Sequence, residues 1–227
     1  MQPYFMPYLG YFQLINAVDK FIIYDDVNFI NKGWINRNAI LAGGKAQLFT
    51  IPLKEASQNR LIKDITLSDD QVWKKKIQKS LRQSYQKAPY YEEVFPIIDR
   101  VINYEAENIS DLNRNGIFEI NKYLGITTTI VPHSDVYSNT HLKGQNRILD
   151  ICRQENAGTY INPSGGMELY DRSVFEEAGI QLFFMKAGLP AYQQNNQEFI
   201  AGLSIIDVMM YNSIENIHIM LKAYQLM

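Results

Sequence analysis

GQNRILDICRQENAGTYINPSGGMELYDRSVFEEAGIQLFFMKA, residues 144–187, switches its period three times. Residues 144–158 read as a helix closed by Gly158. TYINPSGG is a short strand that runs into a Gly-rich turn. MELYDRSVFEEAGI is a second helix, and QLFFMKA is a strand. Upstream, TTTIVPHSDV (127–136) reads as a strand followed by a loop. Strand–helix–strand–helix–strand predicts a parallel sheet with crossover helices.

The chain opens MQPYFMPYLGYFQLINAVDKFIIYDD (1–26). Pro3 and Pro7 fix their own φ and push the preceding residues away from helix. Tyr8, Tyr11, Phe12, Ile15 and Val18 then recur at helical spacing, and residues 21–24 read as a buried strand. Loop, helix and strand make most of a βαβ unit whose first strand is missing or very short. Residues 39–53 predict a hairpin turning at Gly43-Gly44, and 61–70 one more short strand. Residues 69–88 predict a helix capped by Ser68 or Asp69, with Val72, Trp73, Ile77, Leu81 and Tyr85 as its apolar stripe and Pro89 as its stop. Two or three helices follow, the last ending at Gly125, and one or two apolar helices close the chain. QQNNQ (193–197) reads as a polar loop. The expected fold is therefore a single α/β domain over 1–227. It has a mostly parallel Rossmann-like sheet with crossover helices, a hairpin insertion and a helical subregion at about 68–125.

Composition narrows the class. The chain has 227 residues, 46% hydrophobic and 20% charged, with a net charge of −2. That balance gives no footprint for nucleic acid or an anionic membrane. Cys152, the single cysteine, excludes a disulfide framework and a cysteine zinc site within one chain. The opening lacks the basic segment and uninterrupted apolar run of a signal peptide, and no stretch is long and apolar enough to predict a membrane span. A cytoplasmic location is expected.

In an open α/β sheet, ligands bind outside the carboxyl ends of the strands. Four polar stretches fall there: the opening loop, YDDVNFINKGWINRN, VPHSDVYSNTHLKGQNR and NPSGGMELYD. Gly10 stands where the chain enters a helix, so backbone N–H groups there could face an anion. Tyr8-Leu9-Gly10-Tyr11 resembles the His-x-Gly-His signature of nucleotidyltransferases with both histidines replaced. Asp25 and Asp26 end a strand, and because adjacent strand residues face opposite ways at most one should point into the crevice. Arg37, between Asn36 and Asn38, suits a carboxylate or phosphate fork, as does Arg147. His133 suits a general base, whereas His218 sits in an apolar helix and reads as structural. His133 and His141 lack metal-ligand spacing on a helix, and no metal is expected. Cys152 reads as a small core residue. Asn162, Ser164 and Gly165 lie in a turn that could cradle a phosphate, although no P-loop pattern is present. Tyr8, Asp25, Arg37, His133, Arg147 and Ser164 are expected to border one crevice.

MQPYFMPYLGYFQLINAVDKFIIYDDVNFINKGWINRN, APYYEEVFP, NRILDICRQENAGTYINPSGGMELYD and LSIIDVMMYN together resemble the WbqC-like protein family over nearly the whole chain. In that family a short strand-forming segment ends at the Gln-Pro matching Gln2-Pro3. The resemblance therefore implies that a first strand upstream of Met1 is absent here. It also implies a bacterial protein of polysaccharide or O-antigen gene clusters, in a family labelled as amino-acid (glycine) transferases acting on sugars. It brings no catalytic residues with it. On the geometric reading, Gln2, Tyr4, Tyr8, Gly10 and Tyr11 would shape a nucleotide or acyl pocket. Asp25 or Asp26 would position an amine or a metal-bound phosphate, Arg37 and Arg147 would hold anions, and His133 would take a proton. The expected partner is a sugar or nucleotide, with a nucleotide as possible cofactor. Two alternatives stand beside transfer to an amino sugar: a nucleotidyltransferase with a degenerate signature loop, and a non-catalytic sugar-nucleotide sensor or scaffold.

Overall fold

Pro3 and Pro7 remove two N–H donors from the opening loop, yet its carbonyls still need partners once buried. In the computed structural model, which describes residues 1–195 and 198–227, side chains from distant segments supply them. Asn113 Nδ2 donates to Pro3 O (3.0 Å), Asn38 Nδ2 to Phe5 O (3.0 Å), Ser204 Oγ to Met6 O (2.7 Å) and Tyr11 Oη to Gln2 O (2.9 Å). Met6 sits at φ 45°, in the left-handed region, and these bonds hold it there. The loop is a rigid, buried feature and Phe5, Met6 and Leu9 belong to the main core. Part of the QQNNQ stretch, residues 196 and 197, lies outside the described residues.

The loop enters α1 (Leu9–Asn16), followed by β1 (Lys20–Ile22), the hairpin β2 (Arg37–Ala42) and β3 (Lys45–Thr50), and three helices, α2 (Val72–Tyr85), α3 (Tyr91–Asn103) and α4 (Ile109–Leu124). Then come β4 (Thr129–Val131), α5 (Gly144–Gln154), β5 (Thr159–Pro163), α6 (Arg172–Glu177), β6 (Gln181–Ala187), α7 (Ile205–Tyr211), α8 (Ile214–Leu221) and β7 (Tyr224–Leu226). The hairpin turns where expected, because Gly43 (φ 57°) and Gly44 (φ 77°) take the paired positive φ that a two-residue turn of this hand requires. α2 buries Trp73, Ile77, Leu81 and Tyr85, but Val72 is exposed and stands outside the stripe. Its start is set by Asp70, whose Oδ1 accepts from Val72 N at 2.8 Å, and not by Ser68 or Asp69. α4 ends at Gly125 in the left-handed conformation.

The mostly parallel Rossmann-like sheet needs correction. β1 pairs with β4 in parallel, β5 with β6 in parallel and β6 with β7 antiparallel, in two separate sheets. The fold is mixed α/β with small parallel and antiparallel sheets. No described strand joins β1 to β5, and a cleft lies between them instead. Residues 61–70 form a 3-10 turn at Ile62–Asp64 where a strand was expected. Ile62 N and Lys63 N donate to Val27 O and Asp25 O, so this backbone serves the chain leaving β1.

One apolar cluster runs from Phe5 through α1, the hairpin and α2–α4 to α7 and α8; a smaller one joins Leu149, Cys152, Phe175, Ile180, Leu182 and Phe184 beneath β5 and β6. Gln13, fully buried on α1, donates through Nε2 to Gly188 O (2.7 Å) and Met220 O (2.8 Å). Among the described residues no helix is long and apolar enough to cross a membrane.

Asp207 on α7 is fully buried and accepts from Tyr85 Oη (2.8 Å), Tyr192 Oη (2.7 Å) and Gln194 Nε2 (2.7 Å). Burial raises its pKa above the ordinary value, and the three donors only partly offset this. The native state therefore holds its proton to higher pH than the unfolded chain does. Stability contributed by this group is present in acid and is lost as pH rises from about 4 through the raised native value. Asp207→Asn should flatten that slope in urea titrations across pH 4–7, measured as the difference from wild type.

Candidate active site

β1 and β5 face each other across a cavity of about 960 Å3 lined by Lys20, Phe21 and Ile22 on one side and residues 159–163 on the other. Its partners lie outward, β4 beyond β1 and β6 beyond β5. The cleft thus opens between the two parallel pairs, and in α/β folds ligands bind outside the carboxyl ends of such strands. At the carboxyl ends of the two strands the lining is polar and aromatic: Gln2, Tyr4, Tyr24, Asn162, Gly165 and Tyr170. Burial raises the pKa of Tyr4, Tyr24 and Tyr170, so these phenols stay protonated, each able to donate and accept.

Beside this mouth, the chain leaves β1 at Ile22 and bends at Asp26. Because it is no longer a strand there, Asp25 and Asp26 do not alternate between faces as expected. Both turn inward and are buried. Asp25 accepts from Ser110 Oγ (2.7 Å), from Ser134 N (3.2 Å) and from His133, whose Nδ1 lies 2.8 Å from Asp25 Oδ2. Asp26 accepts from Arg147 Nη2 (2.5 Å) and from Ser134 Oγ. Ser134 Oγ in turn accepts from Asp25 N at 3.2 Å. One serine, at the carboxyl end of β4, therefore locks the end of β1 through backbone and side chain together.

His133 is the exposed member of this network, with 35% of its side chain accessible while that of Asp25 has none. Arg114 of α4 reaches its Nε2 and also pairs with Asp111. A guanidinium can only donate, so Nε2 accepts and Nδ1 carries the proton to Asp25. Lys63 donates to Asp135 at 2.8 Å nearby. That bond holds Asp135 below the usual carboxylate range and Lys63 above its own. Ser110, His133 and Asp25 are not a Ser–His–Asp triad: both Ser110 and His133 address the aspartate, and no serine addresses the imidazole. Cys152 is buried on α5, where burial pushes its thiol up to about 11, so it is poorly suited to act as a thiolate.

The single crevice expected from the sequence does not gather all its residues. Gln2, Tyr4, Asn162 and Gly165 line the cleft. Ser164 lies in the 3-10 turn that follows β5. Asp25, Asp26, His133 and Arg147 form the buried network beside it. Tyr11 is behind the wall, its hydroxyl spent on Gln2 O. Tyr8 and Gly10 lie elsewhere. Tyr8 pairs with Ser204, and Ile205 N donates to Pro7 O, so residues 204–205 lie against the start of α1. Gly10 is small for packing: a Cβ there would come within 2.7 Å of Ala187 Cβ on β6. Asn36 donates to Ile51 O (2.8 Å) and holds the hairpin. Arg37 donates to Gly33 O (2.9 Å) and Lys32 O and stands over the Trp34 ring, which makes it the clasp of its own loop. Arg147 is buried, paired to Asp26, bonded to Asn139 Oδ1 (2.8 Å) and stacked on Tyr24, so its donors are already engaged. His218 donates through Nε2 to Leu124 O (2.6 Å) and is structural.

Sequence reasoning missed Ser110, Asp111 and Arg114. Their spacing on NISDLNR puts Ser110 and Arg114 one turn apart, a visible polar face. Nothing local says that this face meets the end of β1.

The model of the WbqC-like protein family matches residues 2–219. A Mycobacterium tuberculosis (strain ATCC 25618 / H37Rv) protein, described as uncharacterized protein Rv1507c, is 31% identical over 212 residues, covering 92% of this chain and 90% of its own length. No solved structure matches. The match spans the cleft, the Asp25–His133 pair and the helices that hold them, and the chain belongs to the WbqC-like protein family.

Proposed function

We propose that the protein transfers an aminoacyl or other acyl group onto the amino group of an amino sugar or sugar nucleotide, in the assembly of a bacterial polysaccharide. The observation that carries this reading is the oriented imidazole. His133 Nδ1 is fixed on a fully buried carboxylate beside the cleft, and Nε2, which accepts from Arg114, would serve as the base once that arginine moves off it. The substrate amine would attack the acyl carbonyl, the N–C bond would form as the bond to the leaving group breaks, and the amine proton would pass to Nε2. Arg114, now on Nε2, would be released to the donor's anionic group. Direct transfer fits the residues present, since Ser110 and Ser134 are committed to carboxylates and Cys152 is poorly suited as a thiolate. The tyrosine- and amide-lined mouth suits a sugar ring, offering apolar faces and neutral hydroxyls together. Nucleotidyl transfer gains nothing from α1, whose start is packed against residues 204–205.

A thermal-shift screen of amino-sugar nucleotides and acyl donors, followed by a turnover assay on those that bind, tests this. His133→Gln should lower kcat about a hundredfold and leave KM nearly unchanged. An unchanged kcat removes His133 from the chemistry. Tight binding of a sugar nucleotide without turnover by any donor would make the protein a sensor or scaffold.

A further inference from the structure

The β2–β3 hairpin closes one of its edges and leaves the other open. Along an antiparallel pair, residues that exchange backbone bonds alternate with residues that turn their backbone outward. Ile51 N donates to Asn36 O at 2.7 Å, and Ala42 pairs with Lys45 across the two-residue turn, so Asn38, Ile40, Gln47 and Phe49 spend their backbone groups inside the hairpin. Ala39 and Leu41 turn outward on β2, and both are engaged. Ser204 N donates to Ala39 O (2.9 Å), and Leu41 N donates to Tyr85 Oη (3.0 Å). Ala46, Leu48 and Thr50 turn outward on β3. Among the described residues nothing bonds their N–H or C=O groups, and all three are exposed.

An open edge is a template for another strand, and this one is complementary to itself. A twofold axis through Leu48 lays β3 antiparallel to β3 of a second copy. Leu48 then exchanges both backbone bonds with Leu48 of that copy, and Ala46 does the same with Thr50, so every outward group finds a partner. The side chains agree with this register. Gln47 meets Phe49, and Lys45, the only charge on β3, meets Ile51 and not another lysine. Leu48, 55% exposed, covers its own counterpart. Arg37 stands opposite Thr50 with its guanidinium over the exposed Trp34 ring, which adds a second apolar group beside Leu48. Charges, prolines and bulges are what keep strand edges apart, and Ala46 to Ile51 carry none of them. We propose that the β3 edge is the contact between two copies of this chain, joining their hairpins into one four-stranded antiparallel sheet. The proposal concerns the hairpin alone and does not depend on the transfer chemistry.

Sedimentation velocity of the 227-residue chain at loadings from about 1 to 200 μM tests it, a range that brackets a modest interface. The mass should rise with concentration toward that of two chains. Leu48→Lys sets two like charges face to face and should hold the mass at one chain throughout. Because the residue is exposed, its Tm at the lowest loading should stay within about 2 °C of wild type. The register has its own test. The two Leu48 Cα atoms would lie about 5.5 Å apart, within disulfide reach, so Leu48→Cys should crosslink into a dimer under mild oxidation. Gln47→Cys meets Phe49 on the other face of the sheet and should not. Cys152 is buried in both variants. A wild-type chain that stays monomeric at every loading overturns the proposal and leaves the edge to a partner of another kind. So does a dimer that survives Leu48→Lys, or one that crosslinks as readily through Gln47→Cys as through Leu48→Cys.

Discussion

Arg147→Met should cost about 3–5 kcal/mol of stability, the loss typical when one partner of a buried ion pair is removed, and lower Tm by roughly 6–20 °C for a chain of this size. The reason is Asp26. Its carboxylate is buried, and Arg147 Nη2 at 2.5 Å supplies its counter-charge. Methionine fills much of the volume but leaves the carboxylate with only the Ser134 hydroxyl. The same change frees Asn139, which now accepts from Arg147 Nε, and uncovers the Tyr24 ring at the mouth of the cleft. Arg147→Lys should fall between, because it keeps the charge but loses the planar group that bonds Asp26 and Asn139 at once. Asp26→Asn combined with Arg147→Met should recover part of the loss, since no unpaired charge then remains. Urea denaturation of the four proteins decides the point. If Arg147→Met unfolds at the wild-type midpoint, the pair adds nothing to stability.

Stability should also fall as the solution is made acidic from pH 8 to pH 5, by about 4 kcal/mol if the whole effect is realised. The group responsible is the amino terminus, whose pKa burial lowers from 8.0 to about 5, against a partial opposing pull from the Asp25 charge. Between those values the unfolded chain binds a proton that the native amine does not. Stability is therefore greatest above about pH 8 and declines through this window. It levels off below about pH 5, where both states are protonated. Acetylating the amine should abolish this slope and leave the opposing slope of Asp207 in place. Free energies of unfolding at half-unit intervals, with and without acetylation, measure it. Parallel curves would mean that the terminus is solvated in solution.

The parts of this fold that local pattern dictates are legible in the sequence. The turn at Gly43-Gly44, the Gly125 stop of α4 and the alternation from α5 through β6 all follow from glycine placement and hydrophobic period. β7 was not legible. It is three residues long, Tyr224–Leu226, and exists because it adds antiparallel to the edge of β6. Residues 61–70 looked like a strand because Leu61, Ile62, Ile65 and Leu67 are apolar in a short stretch, but the Ile62 and Lys63 N–H groups are taken by the irregular chain after β1, and residues 62–64 curl into a turn. The candidate site divides in the same way. His133 and Asp25 could be named because strand ends are where α/β proteins place polar groups. Their link to Ser110 spans 85 residues and depends on where α4 lands. Tyr8 and Gly10 were assigned to the crevice because the residues that cover them lie almost a whole chain away, as the bond from Ser204 to Met6, 198 residues apart, makes plain.

That separation has a temporal side. Gln13 grips carbonyls 175 and 207 residues downstream, and Ser204 fixes the loop in front of α1. During synthesis at about 5–20 residues per second, the aromatic opening segment leaves the ribosome roughly 10–40 seconds before its partners exist. Until then the opening segment can pack on the hairpin and α2–α4, but α7 and α8 are missing from the core that holds Phe5, Met6, Tyr11 and Phe12. Closure of the fold waits for α8, so a ribosome that stops short of it leaves an aromatic amino end without the carbonyl that Gln13 takes from Met220.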